Sequence, residues 1–144
     1  MKRIHVEVVS AESAILSADG ELIVLPGAQG DIGVMAGHSP LMAQLRPGEL
    51  RVVQPDRQEA IYYVSGGFCE IQPTLVTVLA DTVKRAEAID RARVEQARAH
   101  AREMLDRGVV GIDYAEARAE LARALAQLRV LEDLEHRRQR RKPR

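Results

Sequence analysis

Apolar residues follow two different periods along this chain, and the change falls near residue 85. Before it, Ile4, Val6 and Val8 alternate with His5 and Glu7, the two-residue period of a half-buried strand. Leu22 to Leu25, Leu50 to Val53, Ile61 to Val64 and Leu75 to Leu79 are further aliphatic or β-branched runs of strand length. Turn signals punctuate them closely: Asp19-Gly20, Pro26-Gly27, Gly30, Gly33, Pro47-Gly48, Pro55-Asp56 and Gly66-Gly67. No helical stretch separates these strands, so the pattern predicts a small sandwich or flattened barrel rather than βαβ units.

Beyond Glu87 glycine almost vanishes and the apolar step becomes three or four. Val94, Ala97, Ala101 and Met104 form one helical stripe, and Tyr114, Ala117, Leu121, Ala124, Leu128 and Leu131 form a second. Asp90 is placed to cap the first helix, and Asp113 with Glu116 has the spacing of a capping box for the second. Gly108 and Gly111 stop the first helix, leaving a connection too short for anything but an antiparallel hairpin. The seam is mostly alanine. At roughly 25 cal/mol per Å² of apolar area, such small side chains are expected to hold the hairpin only modestly to its neighbour. The same alanines suit a tight static interface, and composition does not choose between a fixed arm and a detachable one.

Composition narrows the function classes. A hydrophobic share of 46% in 144 residues is enough for a real core. Lys plus Arg and Asp plus Glu each total 21, and a net charge of zero argues against general nucleic-acid binding. The charge is uneven, with seven basic and ten acidic residues in 1–86 against fourteen and eleven in 87–144. The basic excess gathers from His136 to Arg144. A single cysteine, Cys69, excludes an intrachain disulfide and a cysteine-built zinc site, and fits a reducing compartment. Apolar runs fall far short of the roughly 20 residues of a membrane helix. The charged start, Met1 to Glu7, has no export-signal stretch, so the cytoplasm is the expected location.

A search for chemistry finds no catalytic centre. His5, His38, His100 and His136 are not spaced three or four apart, so no metal site is predicted. His38, in Gly37-His38-Ser39-Pro40, reads as a loop residue that bonds locally or meets a partner, because no nucleophile and orienting acid accompany it. The glycine-rich Gly27 to Gly33 lacks the Gly-Lys-Ser/Thr ending of a phosphate loop and reads as a tight β-turn. Arg91, Arg98 and Arg102, then Arg118, Arg123 and Arg129, alternate with acids as on a solvated helix face. They also suit a grip on acidic protein surfaces or a nucleotide phosphate.

Several segments appear together and in order: Val8 to Glu12, Gly30 to Leu41, Leu45-Arg46-Pro47-Gly48, Tyr63 to Phe68, Val76 to Asp81 and Ala119 to Ala124. As an ordered set they resemble the epsilon-subunit family of bacterial rotary ATP synthases over nearly the whole length. The resemblance implies a ten-stranded β-sandwich over 1–84 and an antiparallel two-helix arm over 85–136. The basic tail over 137–144 departs from the family in its length and is expected to be disordered by self-repulsion. The resemblance also implies a non-catalytic rotor subunit that couples c-ring rotation to ATP synthesis, peripheral at the cytoplasmic side of the bacterial inner membrane without inserting into it. The sandwich would dock on the gamma subunit and c-ring, with Asp31, His38, Ser39 and Pro40 at that contact. The arm would extend into the alpha and beta subunits and impede ATP hydrolysis through Arg118, Arg123 and Arg129. No cofactor is required in this family, although some members bind ATP through a motif matched here by Ile89, Asp90 and Arg93, with Arg123 from the second helix. Val94 replaces the motif's final alanine and Gln127 replaces the next arginine, so ATP binding is expected to be weak. A nucleotide-sensing module and a free-standing β-sandwich enzyme are the competing readings.

Overall fold

The computed structural model describes residues 2–11 and 15–142. Glu12, which belongs to one of the segments carrying the resemblance, lies outside the described residues, as do Pro143 and Arg144 of the expected tail. The chain divides into two compact units, 1–85 and 86–144.

The first unit holds ten strands, β1 (Ile4–Ser10), β2 (Ile15–Gly20), β3 (Leu22–Gly27), β4 (Gly30–Val34), β5 (Leu41–Leu45), β6 (Gly48–Val53), β7 (Glu59–Val64), β8 (Gly67–Ile71), β9 (Leu75–Ala80) and β10 (Val83–Arg85). They hydrogen-bond in the order β10-β7-β6-β3-β5-β8-β9-β1-β2, with β4 as an extra edge on β3. All pairs are antiparallel except β1 with β9, which run parallel from His5 beside Leu75 to Ser10 beside Ala80. The two halves of the sheet join where Gly27 of β3 lies opposite Leu45 of β5, with backbone hydrogen bonds from the Arg46 amide to the Pro26 carbonyl and from the Ala28 amide to the Gln44 carbonyl on either side. A side chain at Gly27 would run into the Gly30 carbonyl, so the corner needs glycine. Gly67 is the second such point, with φ +127° and the Leu79 carbonyl where a Cβ would sit.

Alternation sends one face of each strand into a shared core. Ile4, Val6 and Val8 of β1, Ile23 and Leu25 of β3, and Val76 and Val78 of β9 are fully buried there. The small sandwich or flattened barrel that the runs and turns predict is thus present, with the ten strands that the resemblance implies. In β7, Tyr62 and Val64 turn into the same core.

The second unit begins with a 3-10 turn at Ala86–Ala88, followed by α1 (Arg91–Asp106) and α2 (Gly111–Arg141). Asp90 caps α1 as its position predicts, accepting from the amides of Ala92 (3.1 Å) and Arg93 (3.4 Å). Val94 and Ala101 of α1, and Ala117, Ala124, Leu128 and Leu131 of α2, are buried along the predicted stripes. The Arg91–Glu135 ion pair (2.6 Å) and the His100–Glu120 contact (3.4 Å) join the antiparallel helices.

Three expectations need correction. The second helix starts at Gly111 with Val110 in the capping position, so Asp113 lies inside the first turn instead of capping it. There its carboxylate meets the positive end of the helix dipole. At the other end α2 runs on to Arg141, so residues 137–141 are helical where a disordered tail was expected. Arg138, Arg140 and Arg141 occupy the last turn, where cations suit the negative end of the dipole and offset their mutual repulsion. Tyr114, assigned to the buried stripe, is 45% exposed.

Candidate functional site

The most distinctive feature of the first unit is the outer face of β8, β9 and β1. Strand register sets Val9 directly beside Leu79, and Leu79 directly opposite Phe68. All three side chains point away from the core; Phe68 and Leu79 are each 56% exposed. Gln44 of β5 continues the row beyond Phe68, and a shallow depression of about 520 Å³ lies against it, lined by Val9, Ser10, Gln44, Phe68, Leu79 and Asp81. One pleat away on the same face runs a polar row, Glu7 beside Thr77, Thr77 opposite Glu70, and Glu70 opposite Met42. Met42 is 74% exposed. An apolar strip bordered by the carboxylates of Glu7, Glu70 and Asp81 has the make-up of a protein-docking surface, with an apolar centre and a polar rim.

These residues were not singled out from the sequence, although a signal was present. Val9 breaks the alternation of β1, since it follows the inward Val8 where a polar residue would complete the pattern. Leu79 does the same after Val78 in β9. An apolar residue on the outward phase of two neighbouring strands is legible only once their register is known.

The residues expected at the ring contact are placed at two ends of one edge. Asp31 opens β4 and pairs with Arg46 at 2.6 Å. His38, Ser39 and Pro40 lie in the loop that follows β4, so the length of the strand, roughly 13 Å, separates the two groups. His38 donates from Nδ1 to the Ser39 carbonyl (2.6 Å), the local bond expected for a loop histidine. The Gly37 amide, in a residue with φ +89°, ties the same loop to the Pro73 carbonyl at 2.8 Å.

On the hairpin, Ile89 is buried and Asp90 is committed to the α1 amides. Arg93 and Arg123 are exposed, and the register set by the two interhelical contacts, Arg91–Glu135 and His100–Glu120, places Arg123 at least about one turn along the hairpin from Arg93. The four residues therefore do not converge in this conformation. Arg118 and Arg129 are eleven residues apart, just over three full turns at about 3.6 residues each, and share a face of α2, whereas Arg123 lies about 140° around the helix. Arg118 stacks over the Tyr114 ring at 5.9 Å. Burial pushes the Cys69 thiol above its ordinary range, with a backbone hydrogen bond at Ala43 pulling weakly the other way. Among the described residues, no three His, Cys, Asp or Glu side chains come together as a metal cluster. No helix among them is long and apolar enough to cross a membrane.

Residues 3–86 match the family described as ATP synthase, Delta/Epsilon chain, beta-sandwich domain, and 87–132 match the corresponding long alpha-helix domain. The ATP synthase epsilon chain of Alkalilimnicola ehrlichii is 47% identical over 137 residues, covering 95% of this chain and 98% of that protein. That of Chromohalobacter salexigens is 44% identical over 134 residues, covering 93% and 95%. Among solved structures, a chain of the Euglena gracilis mitochondrial ATP synthase, in an OSCP/F1/c-ring assembly, shares the fold with a TM-score of 0.70. It is 24% identical, and the match covers 93% of this chain and 80% of that one.

Proposed function

The chain belongs to the ATP synthase delta/epsilon family, and from that premise we propose how its two units divide the work of a central-stalk subunit. It has no catalytic role of its own; it couples the rotor to the catalytic head of a rotary ATP synthase. It associates peripherally with the cytoplasmic side of the membrane through that complex. The first unit is the docking body. Its apolar strip, Val9, Leu79 and Phe68, takes the gamma subunit, and the β4 edge with Asp31 and the loop with His38, Ser39 and Pro40 take the c-ring. The observation that carries the gamma assignment is the strip itself, three large side chains held outward and adjacent across three strands.

Phe68→Asp tests it. An aromatic anchor at the centre of an interface commonly carries about 2 kcal/mol or more, so gamma binding is expected to weaken roughly thirtyfold. The melting temperature should barely move, because Phe68 is already 56% exposed. Unchanged affinity would remove the strip as the gamma site.

The hairpin is a regulatory arm that reaches the alpha and beta subunits and slows ATP hydrolysis. Arg118 and Arg129, exposed on one face of α2, support that reading, with Arg123 contributing from a second side. ATP binding through Ile89, Asp90, Arg93 and Arg123 is weak, since Gln127 supplies no charge where a phosphate would need one.

A further inference from the structure

The turn joining β3 to β4 is held from outside by one guanidinium. Arg46 follows β5, and its fork spans both strands of the hairpin: Nη1 donates to the Gly27 carbonyl at the end of β3, and Nη2 donates to the Asp31 carboxylate at the start of β4 (2.6 Å). The backbone repeats the tie, with the Arg46 amide donating to the Pro26 carbonyl (2.9 Å) and the Ala28 amide to the Gln44 carbonyl (2.8 Å). Ala28, Gln29, Gly30 and Asp31 are nonetheless exposed, so this is a fastened turn that projects into solvent. Arg46 itself is 43% exposed, too open for the ion pair to matter much to folding.

We propose that Arg46 is a positioning residue for c-ring docking: it fixes the Asp31 carboxylate and makes the β4 edge a neutral, oriented pair instead of a loose negative charge. This rests on the reading that Asp31 meets the ring. Among the described residues the guanidinium donates to the Gly27 carbonyl and the Asp31 carboxylate, two bonds from a group with five donors, and the carboxylate keeps acceptor capacity. The edge therefore offers donors and acceptors in fixed positions to a polar loop, and binding of that kind is insensitive to salt. Loss of Arg46 would leave Asp31 mobile and charged, a contact that ionic strength screens. Lysine would restore the charge without the fork.

The test titrates purified full-length chain onto membranes depleted of it and reads the concentration that half-restores ATP-driven proton pumping. It uses Asp31→Ala, Arg46→Ala, the double variant and Arg46→Lys. Each alanine variant is expected to raise that concentration by about two- to fivefold, the range an exposed pair delivers. The double variant should be no worse than Asp31→Ala, and Arg46→Lys should fall between wild type and Arg46→Ala. Arg46→Ala should gain a salt dependence between low and high ionic strength, because it leaves the Asp31 charge unpaired, whereas the double variant, which carries neither charge, should not. Additive losses in the double variant would show that Arg46 acts independently of Asp31, and a normal Arg46→Ala titration would show that it does not act at all; either overturns the inference. A normal Asp31→Ala titration would instead overturn the ring contact on which it rests.

Discussion

Single side chains divide here into those that make the fold and those that face partners. Asp90 is of the first kind, since its carboxylate satisfies two α1 amides that have no helical acceptor. Asp90→Ala should cost about 1 kcal/mol of hairpin stability, read as a lower melting temperature of the full chain or faster amide exchange in the first turn of α1. Faster exchange confined to that turn is the expected signature; unchanged exchange would mean the cap is idle. Cys69 gives a pH prediction. Its thiol is pushed above its ordinary range by burial, so the folded state prefers it neutral. The resulting stability is fully present at neutral pH and declines as pH rises from the ordinary thiol range, about 8.5, through the higher folded value. Cys69→Ser should lessen that alkaline decline, and an identical pH profile would assign the decline to other groups. The cap was readable from sequence because it depends on neighbours two and three positions away. The strip of Val9, Leu79 and Phe68 was not, because strands far apart in sequence bring it together.

Elements show the same contrast. The change of period near residue 85 was enough to foretell strands followed by two helices, since each period is a local consequence of backbone geometry. Helix ends were less legible. Asp113 and Glu116 have capping spacing, yet α2 begins earlier at Gly111, whose φ of +65° lets the chain reverse before the carboxylate is reached. Self-repulsion predicts disorder for the basic run, whereas the dipole at the end of a long helix tolerates it up to Arg141. Burial of Ala126 and Val130, on a side of α2 away from the predicted stripe, was not legible either. At this scale the arm can be tested by its charges. Changing Arg118, Arg123 and Arg129 to alanine together should raise ATP hydrolysis by the assembled enzyme and leave assembly intact. An unaltered rate under conditions where the arm extends would favour the static reading of its alanines. Gln127, half-buried one turn after Arg123, gives a second test. Gln127→Arg should tighten ATP binding about tenfold or more, the effect of a charged hydrogen bond worth roughly 1.5 to 3 kcal/mol. Calorimetry that finds micromolar affinity in the unaltered chain would contradict the weak-binding assignment.

For the molecule as a whole, coupling falls to one unit and restraint to the other in the proposed division. The first unit has its own closed core, drawn from strands across the whole sheet, and carries every residue assigned to gamma or the ring. The second carries every residue assigned to inhibition and nucleotide. Such a division requires that 1–85 fold by itself, which a cooperative melt of the fragment would establish. The direct measurement places full-length chain, or a version ending at Arg85, on membranes depleted of the subunit, and follows ATP hydrolysis and ATP-driven proton pumping together. The shortened chain is expected to restore pumping in proportion to hydrolysis while the hydrolysis rate rises above that with the full chain. Uncoupled hydrolysis, or the same rate with both versions, would contradict the division.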